Sequence, residues 1–302
     1  MGITLGLIGY GEVGAIFGRG LLGQQGIDSI AAWDLRFADP VTGSAARAAT
    51  EAHGVRAAHS MAALCADADL LICAVTASQT LPVAQEAARH ARAGARFLDL
   101  NSASPGTKQR AAQALQAAGV DYVEAGVMTS VPPYGIRVPM LLGGAQAAAL
   151  AATLNAWGMQ AQVASDALGV ASAIKMSRSI MIKGLEALVI ESFTTARHYG
   201  VEAQVLATLQ ETFPQIDWPR QGAYFFSRVV QHGKRRAEEM RESAQTVREA
   251  GFEPLMTAGI ASKQDWVAQQ AQAGLFEGLD GQSPWEAYAD RLIGQVEKAV
   301  VS

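Results

Sequence analysis

The chain has 302 residues, half of them hydrophobic and 17 % charged, with a net charge of −4. That length and apolar content suit two globular domains and exclude a disordered chain, and the lack of a broad basic field excludes a general nucleic-acid surface. No apolar run reaches the roughly 18 residues of a membrane span, and the first strand begins by about Ile3, which leaves no room for a signal or transit peptide, so a cytoplasmic protein is expected.

In chain order, ITLGLI at residues 3–8 reads as a strand running into the glycine turn GYGEVG. A helix to about Gln24, a strand around SIAAWD, a helix through SAARAATEAHG and the strand DLLICAV follow. The rhythm continues with a helix to about Ala91, the strand ARFLDL, a helix from Pro105 to about Ala118 and the strand VDYVEAGV. Such alternation predicts an α/β fold, a doubly wound, mostly parallel sheet of Rossmann type with helices on both faces. This half is expected to span residues 1–164.

From Ala167 to about Tyr199 no convincing breaker occurs, which predicts one helix of about 30 residues, roughly 45 Å long. Breaks near Gly200, Pro214, Pro219, Gly251, Pro254 and GLFEGLDGQSP then predict about five further helices. Residues 165–302 should therefore form an all-α domain joined through the long helix. Trp218, Tyr224, Phe225 and Phe226 are expected in its core.

The turn carries GxGxxG as Gly9, Tyr10, Gly11, Glu12, Val13 and Gly14, and an acid, Asp34, closes the second strand twenty residues after Gly14. A tight turn at the first glycine, close main-chain approach to a pyrophosphate at the second and close helix-to-strand packing at the third are the physical tasks of this spacing. The helix N-terminus then presents N–H groups to phosphate. An acid at Asp34 accepts hydrogen bonds from the adenosine ribose and repels an added phosphate, which favours NAD, whereas Arg36 could receive that phosphate and keeps NADP open. Val75 and Thr76 after the DLLICAV strand, and Asn101 after ARFLDL, complete the expected cofactor set.

Cys65 and Cys73 form no CxxC pair and read as small hydrophobes, and the five histidines show no ligand spacing, so no metal is expected. Lys175 sits among Ala171, Ala173, Ile174 and Met176 near the start of the long helix. Alone, it reads as a lysine with a buried stem and a solvated head. Partial burial would also weaken its hold on a proton and suit it to acid/base exchange.

The glycine fingerprint, LDLNSASP at residues 98–105, the glycine-bearing region at 124–144 and a lysine early in a long helix together resemble the β-hydroxyacid dehydrogenase family, over about residues 1–195. That family includes 3-hydroxyisobutyrate, tartronate semialdehyde and 6-phosphogluconate dehydrogenases. The resemblance implies a general acid/base at Lys175 and a hydroxyl near the nicotinamide at Ser102. The chain departs from the pattern at Ser179, where asparagine is common, and at EAGVMTS in place of DAPVSGG. Met128 thereby replaces a carboxylate-binding serine, and Thr129 and Ser130 supply hydroxyls nearby.

The second half, with HGKRRAEEM, resembles a branch that carries a C-terminal domain of unknown function. His232, Arg235, Arg236 and Glu239 recur at spacings of three and four, so one helix face would carry all four. That face reads either as solvated and salt-bridged or, as the resemblance implies, as a site for an anionic substrate. The expected function is hydride transfer between NAD(P) and a small hydroxyacid or sugar-acid-like alcohol. Imine reduction and a silent NAD(H)-binding sensor are the alternatives. The resemblance also implies a homodimer.

Overall fold

The computed structural model describes the backbone of residues 2–301 and the side chains of residues 2–295. The chain divides into two compact units, Met1–Ser177 and Arg178–Ser302.

The first unit is built on eight strands: β1 (Ile3–Ile8), β2 (Ile27–Trp33), β3 (Arg56–Ala57), β4 (Leu70–Cys73), β5 (Arg96–Asp99), β6 (Asp121–Val127), β7 (Pro139–Gly143) and β8 (Gln160–Ser165). They lie in the order β3-β2-β1-β4-β5-β6-β7-β8, and only the β6–β7 pairing is antiparallel. Alternation along each strand feeds two cores: Leu70, Ile72 and Leu98 join one, and Leu71, Cys73 and Phe97 join the other. Helices α1 (Glu12–Leu21), α2 (Gly43–Glu51), α3 (Met61–Asp67), α4 (Thr80–Ala88), α5 (Pro105–Ala117) and α6 (Ala147–Ala156) connect the strands. A sheet covered on both faces demands apolar residues at both strand parities, as LLIC supplies.

After β1 the chain steps outward through β2 and β3, then returns to place β4 on β1's other side. In open α/β sheets the crevice at the carboxyl ends of two such strands is the ligand position. The sequence places one helix between β2 and β4, whereas the structure has two plus the short β3. Ser60 starts the extra helix by accepting from the Ala63 N–H at 3.1 Å. Strand β8 carries little sequence signal, since QAQVAS has few strand formers and only one buried residue.

Helix α7 (Val170–His198) has 29 residues, in line with the expected single long helix. The second unit holds its later turns and α8 (Glu202–Thr212), α9 (Trp218–Glu249), α10 (Leu255–Gln272) and α11 (Trp285–Val301). Four helices follow α7 among the described residues, where five were expected. Pro219 does not break a helix: it occupies the first turn of the 32-residue α9, where a missing N–H is harmless, behind the Asp217 cap.

Phe193, Trp218, Phe226, Trp285 and Tyr288 form the core of this unit, with the Phe193 and Trp285 rings 4.9 Å apart. Gly222 leaves room for the Phe193 ring, whose edge would lie 2.8 Å from an added Cβ. Tyr224, expected in the core, instead faces solvent at 53 % exposure. No helix among the described residues is long and apolar enough to cross a membrane.

Candidate active site

Gly9 leaves β1 at φ +87°, a left-handed conformation, and a Cβ there would stand 2.5 Å from the Ala74 carbonyl at the end of β4. Gly14 faces the Gly9 carbonyl so closely that no side chain fits. Gly11 is the opposite case: nothing lies within 4 Å of its missing Cβ, and it caps α1 with no side chain over the first N–H groups of Glu12, Val13 and Gly14. Two glycines are thus required by packing and the third leaves an open cradle at a helix N-terminus, which fits a dinucleotide pyrophosphate.

Asp34 follows β2 and joins this turn. Its Oδ2 accepts from the Tyr10 N–H at 2.7 Å, and its Oδ1 accepts from the Arg36 N–H at 3.0 Å and from Arg36 Nε at 2.8 Å. Arg36 also donates to the Tyr10 carbonyl at 2.7 Å. Burial pushes the Asp34 carboxyl upward, but the bonds from Arg36 and Tyr10 and the guanidinium charge outweigh it and hold the group below its ordinary value. The same partnership raises Arg36. The acid expected to read the ribose is therefore already shared with a half-exposed arginine.

At the ends of β4 and β5, Asn101 accepts from the Val75 N–H at 2.8 Å and directs its amide nitrogen toward Cys73 Sγ at 3.4 Å. Asn101 is buried, so its side chain staples the two loops together, while Thr76 is exposed and Ser102 half-buried. Beneath it, Asp99 accepts from the Asn101 N–H at 2.9 Å, Lys108 Nζ at 2.9 Å and Tyr122 Oη at 2.7 Å. Burial first, then the neighbouring Asp99, lifts the Tyr122 hydroxyl well above its ordinary range. Both cysteines are buried, with Cys65 pushed up to about 12 by burial and Glu86, consistent with inert thiols.

Strand β6 positions the start of α7. Glu124 Oε1 accepts from the Gly169 N–H at 2.8 Å and the Ala171 N–H at 3.1 Å, which ties the first turn of the helix to the strand. At Gly126 an added Cβ would meet the Ala171 carbonyl at 3.0 Å and Lys175 Cβ at 3.4 Å, so the lysine stem lies directly over the strand. Lys175 is half-buried. Beyond Val127 the chain turns through half-buried Met128, exposed Thr129 and half-buried Ser130, and the Met128 N–H donates to the Pro139 carbonyl at 2.9 Å. The first unit thus aligns the expected cofactor residues, Ser102, the 128–130 loop and Lys175 along the carboxyl ends of β1, β2, β4, β5 and β6.

The second unit holds Ser179, His232, Arg235 and Arg236. Ser179 is buried on α7, and its Oγ is 3.4 Å from Lys183 Nζ. The face of α9 that carries His232, Arg235, Arg236 and Glu239 is not wholly solvated, because Glu239 and Arg236 pair with Lys183 and Glu186 of α7. Arg236 turns inward, 7 % exposed, and pairs through Nε at 2.9 Å and a second, shorter contact with buried Glu186. Gln264 donates to the same carboxylate at 3.3 Å. Arg236 is thereby committed to the helix packing, and the spacing of three and four could not reveal which side faced the interior. His232 and Arg235 remain half-buried.

Sequence reasoning missed Glu124, Asp99, Lys108 and Lys183. An acid in the middle of the apolar strand VDYVEAGV was the available signal for Glu124, because a lone charge on a buried strand requires a partner. Among the described residues no group of three or more His, Cys, Asp or Glu side chains is placed to hold a metal ion.

A profile described as the NAD binding domain of 6-phosphogluconate dehydrogenase matches residues 4–162, and one described as a domain of unknown function, DUF1932, matches residues 196–267. A conserved hypothetical protein from Sinorhizobium meliloti 1021 is 37 % identical, with a TM-score of 0.75 over 98 % of this chain and 97 % of that one. Mycobacterium tuberculosis 3-hydroxyisobutyrate dehydrogenase, solved with L-serine, is similar in fold at 16 % identity and a TM-score of 0.66, covering 98 % of this chain and 99 % of its own. A reductive aminase from Aspergillus terreus, solved with NADPH and ethyl levulinate, shares the fold at 19 % identity and a TM-score of 0.56, over 96 % of this chain and 98 % of that one. With its glycine cradle, Asp34 and a profile match over more than half its length, the chain belongs to the family of proteins built on the NAD binding domain of 6-phosphogluconate dehydrogenase, here followed by a DUF1932 domain.

Proposed function

We propose that this protein is a dehydrogenase that moves hydride between a nicotinamide cofactor and the carbinol carbon of a small anionic hydroxyacid or sugar-acid-like alcohol. The observation that carries the reading is the placement of Lys175 over Gly126, at the carboxyl end of the strands that hold the dinucleotide fingerprint. NAD(H) is the preferred cofactor because Asp34 closes β2, and Arg36 leaves room for NADP(H).

The bound nicotinamide supplies the hydride acceptor or donor. Lys175 Nζ, in its neutral form, takes the proton of the substrate hydroxyl as the carbinol carbon is oxidised, and returns it in the reverse direction. Glu124 fixes the first turn of α7 and so the origin of the lysine stem. Ser102, Thr129 and Ser130 orient the substrate with hydroxyl groups, and Met128 contributes apolar contact.

We further propose that the protein acts as a homodimer through its helical unit. Met181 and Leu188 on α7, 65 % and 53 % exposed, support a second copy as the partner, and size-exclusion chromatography with light scattering tests it.

The functional test is a panel of hydroxyacids, sugar acids and cyclic imines with NAD(H) and NADP(H), followed by the absorbance of reduced nicotinamide. Turnover of a hydroxyacid supports the reading, and turnover of imines alone replaces it with C=N reduction. Tight cofactor binding with no turnover of any compound would favour a silent sensor.

A further inference from the structure

The Asp34 carboxylate, expected to read the adenosine ribose, is fully engaged within the chain. A carboxylate offers about four lone-pair sites. Two of them receive main-chain donors, the Tyr10 N–H at 2.7 Å and the Arg36 N–H at 3.0 Å, which fix the acid against the glycine turn and cap the short turn Leu35–Ala38. The other two receive the Arg36 side chain, through Nε to Oδ1 at 2.8 Å and Nη2 to Oδ2 at 3.3 Å. The same Nη2 donates to the carbonyl of Tyr10, the residue before Gly11, at 2.7 Å.

A ribose diol brings two hydroxyl donors. They need the two sites that the guanidinium holds, because the main-chain donors belong to the turn itself. The Asp34 side chain is 14 % exposed and that of Arg36 58 % exposed, so the acid stays in place while the arginine can swing into solvent.

We infer that Arg36 is a latch on Asp34, competing with the ribose for the carboxylate, and that this competition sets how far the protein separates NAD(H) from NADP(H). The inference rests on the dinucleotide reading of the glycine turn and is independent of the substrate. NAD(H) displaces the guanidinium without giving it a new partner, so the latch lowers affinity for NAD(H). The 2′-phosphate of NADP(H) pairs with the released guanidinium, so the same residue raises affinity for NADP(H). Arg36 thus acts in opposite directions on the two cofactors and narrows the preference that Asp34 alone would impose.

The test is fluorescence titration of the full chain and two variants with NADH and NADPH, which needs no substrate. Arg36→Ala should bind NADH about twofold to fivefold more tightly than wild type, the worth of an exposed ion pair. It should bind NADPH about tenfold more weakly, through loss of a charge-assisted bond. Arg36→Lys keeps the charge without the planar fork, and should tighten NADH while weakening NADPH by less than Arg36→Ala does.

A role in folding alone would weaken both cofactors together or change neither, so the opposite signs are the signature of the latch. Unchanged or weaker NADH binding in folded Arg36→Ala and Arg36→Lys would overturn it and leave the dinucleotide reading standing. Failure of wild type and both variants to bind either cofactor would refute the dinucleotide reading, and the latch with it.

Discussion

Two buried lysines, one in each unit, show how the same charge can serve two ends. Lys108 is 1 % exposed and bonds both Asp99 Oδ1 and the Asp99 carbonyl, and that carboxylate is filled by Tyr122 and the Asn101 N–H. Lys183 is nearly as deep, but its carboxylate partner is one-fifth exposed and shared with Arg235. A sealed pair with a saturated acid fixes the backbone around it, here the turn that sets Asn101 against Val75. A pair on a partly exposed carboxylate shared with a second cation holds its surroundings less tightly.

The comparison is most directly broken by removing the cations. Lys108→Met should destabilise the protein by about 3 to 5 kcal/mol, because Asp99 would be left charged and buried without compensation. The same change at Lys183 should cost less, about 1 to 3 kcal/mol, since Glu239 keeps Arg235 nearby and is itself one-fifth exposed. Urea unfolding of both variants checks the order, and equal losses would mean that the two pairs are alike.

A smaller effect is expected at the cofactor turn, where a charge pair lies near solvent. Asp34→Ala frees Arg36 and should improve NADPH binding relative to NADH by about tenfold, or about 1.4 kcal/mol. Fluorescence titration of the two reduced cofactors decides this. An unchanged ratio would show that Arg36 does not meet the ribose phosphate.

The smallest effect concerns pH. Because the Asp34 carboxyl is held below its ordinary value, the unfolded chain binds its proton first as pH falls. Its contribution is therefore complete above the ordinary aspartate value of about 3.9 and is lost as pH drops through the lowered one. Asp34→Asn should flatten that part of the stability curve slightly, as measured by urea midpoints at about pH 5 and pH 3. An identical slope in the variant would show that the pairing with Arg36 adds nothing to folding.

The glycine turn was legible in the sequence because its requirements are local: Gly9, Gly11 and Gly14 are separated by only a few bonds, and backbone geometry dictates each. Helix α7 was legible for the same reason, as a run without breakers. The polar networks were not, since Asp99 meets Tyr122 across 23 positions and Glu186 meets Arg236 across 50. Periodicity also left the rotation of α9 undetermined. His232, Arg235, Arg236 and Glu239 share a stripe in the sequence, but only packing against α7 and α10 decided that Arg236 would point inward. Pro219 misled in the other direction, because a proline marks a helix start as readily as a helix end.

Lys175 is proposed to move the proton while the glycine cradle and Asp34 hold the cofactor. It is tested most directly by measuring kcat and reduced-cofactor affinity for Lys175→Ala on the substrate found by the panel. The account predicts a loss in kcat of about 10² to 10⁴-fold with cofactor affinity and melting temperature close to wild type, and little rescue by Lys175→Arg, whose guanidinium stays protonated. Near-normal kcat in folded Lys175→Ala would contradict it and place the acid/base on another residue.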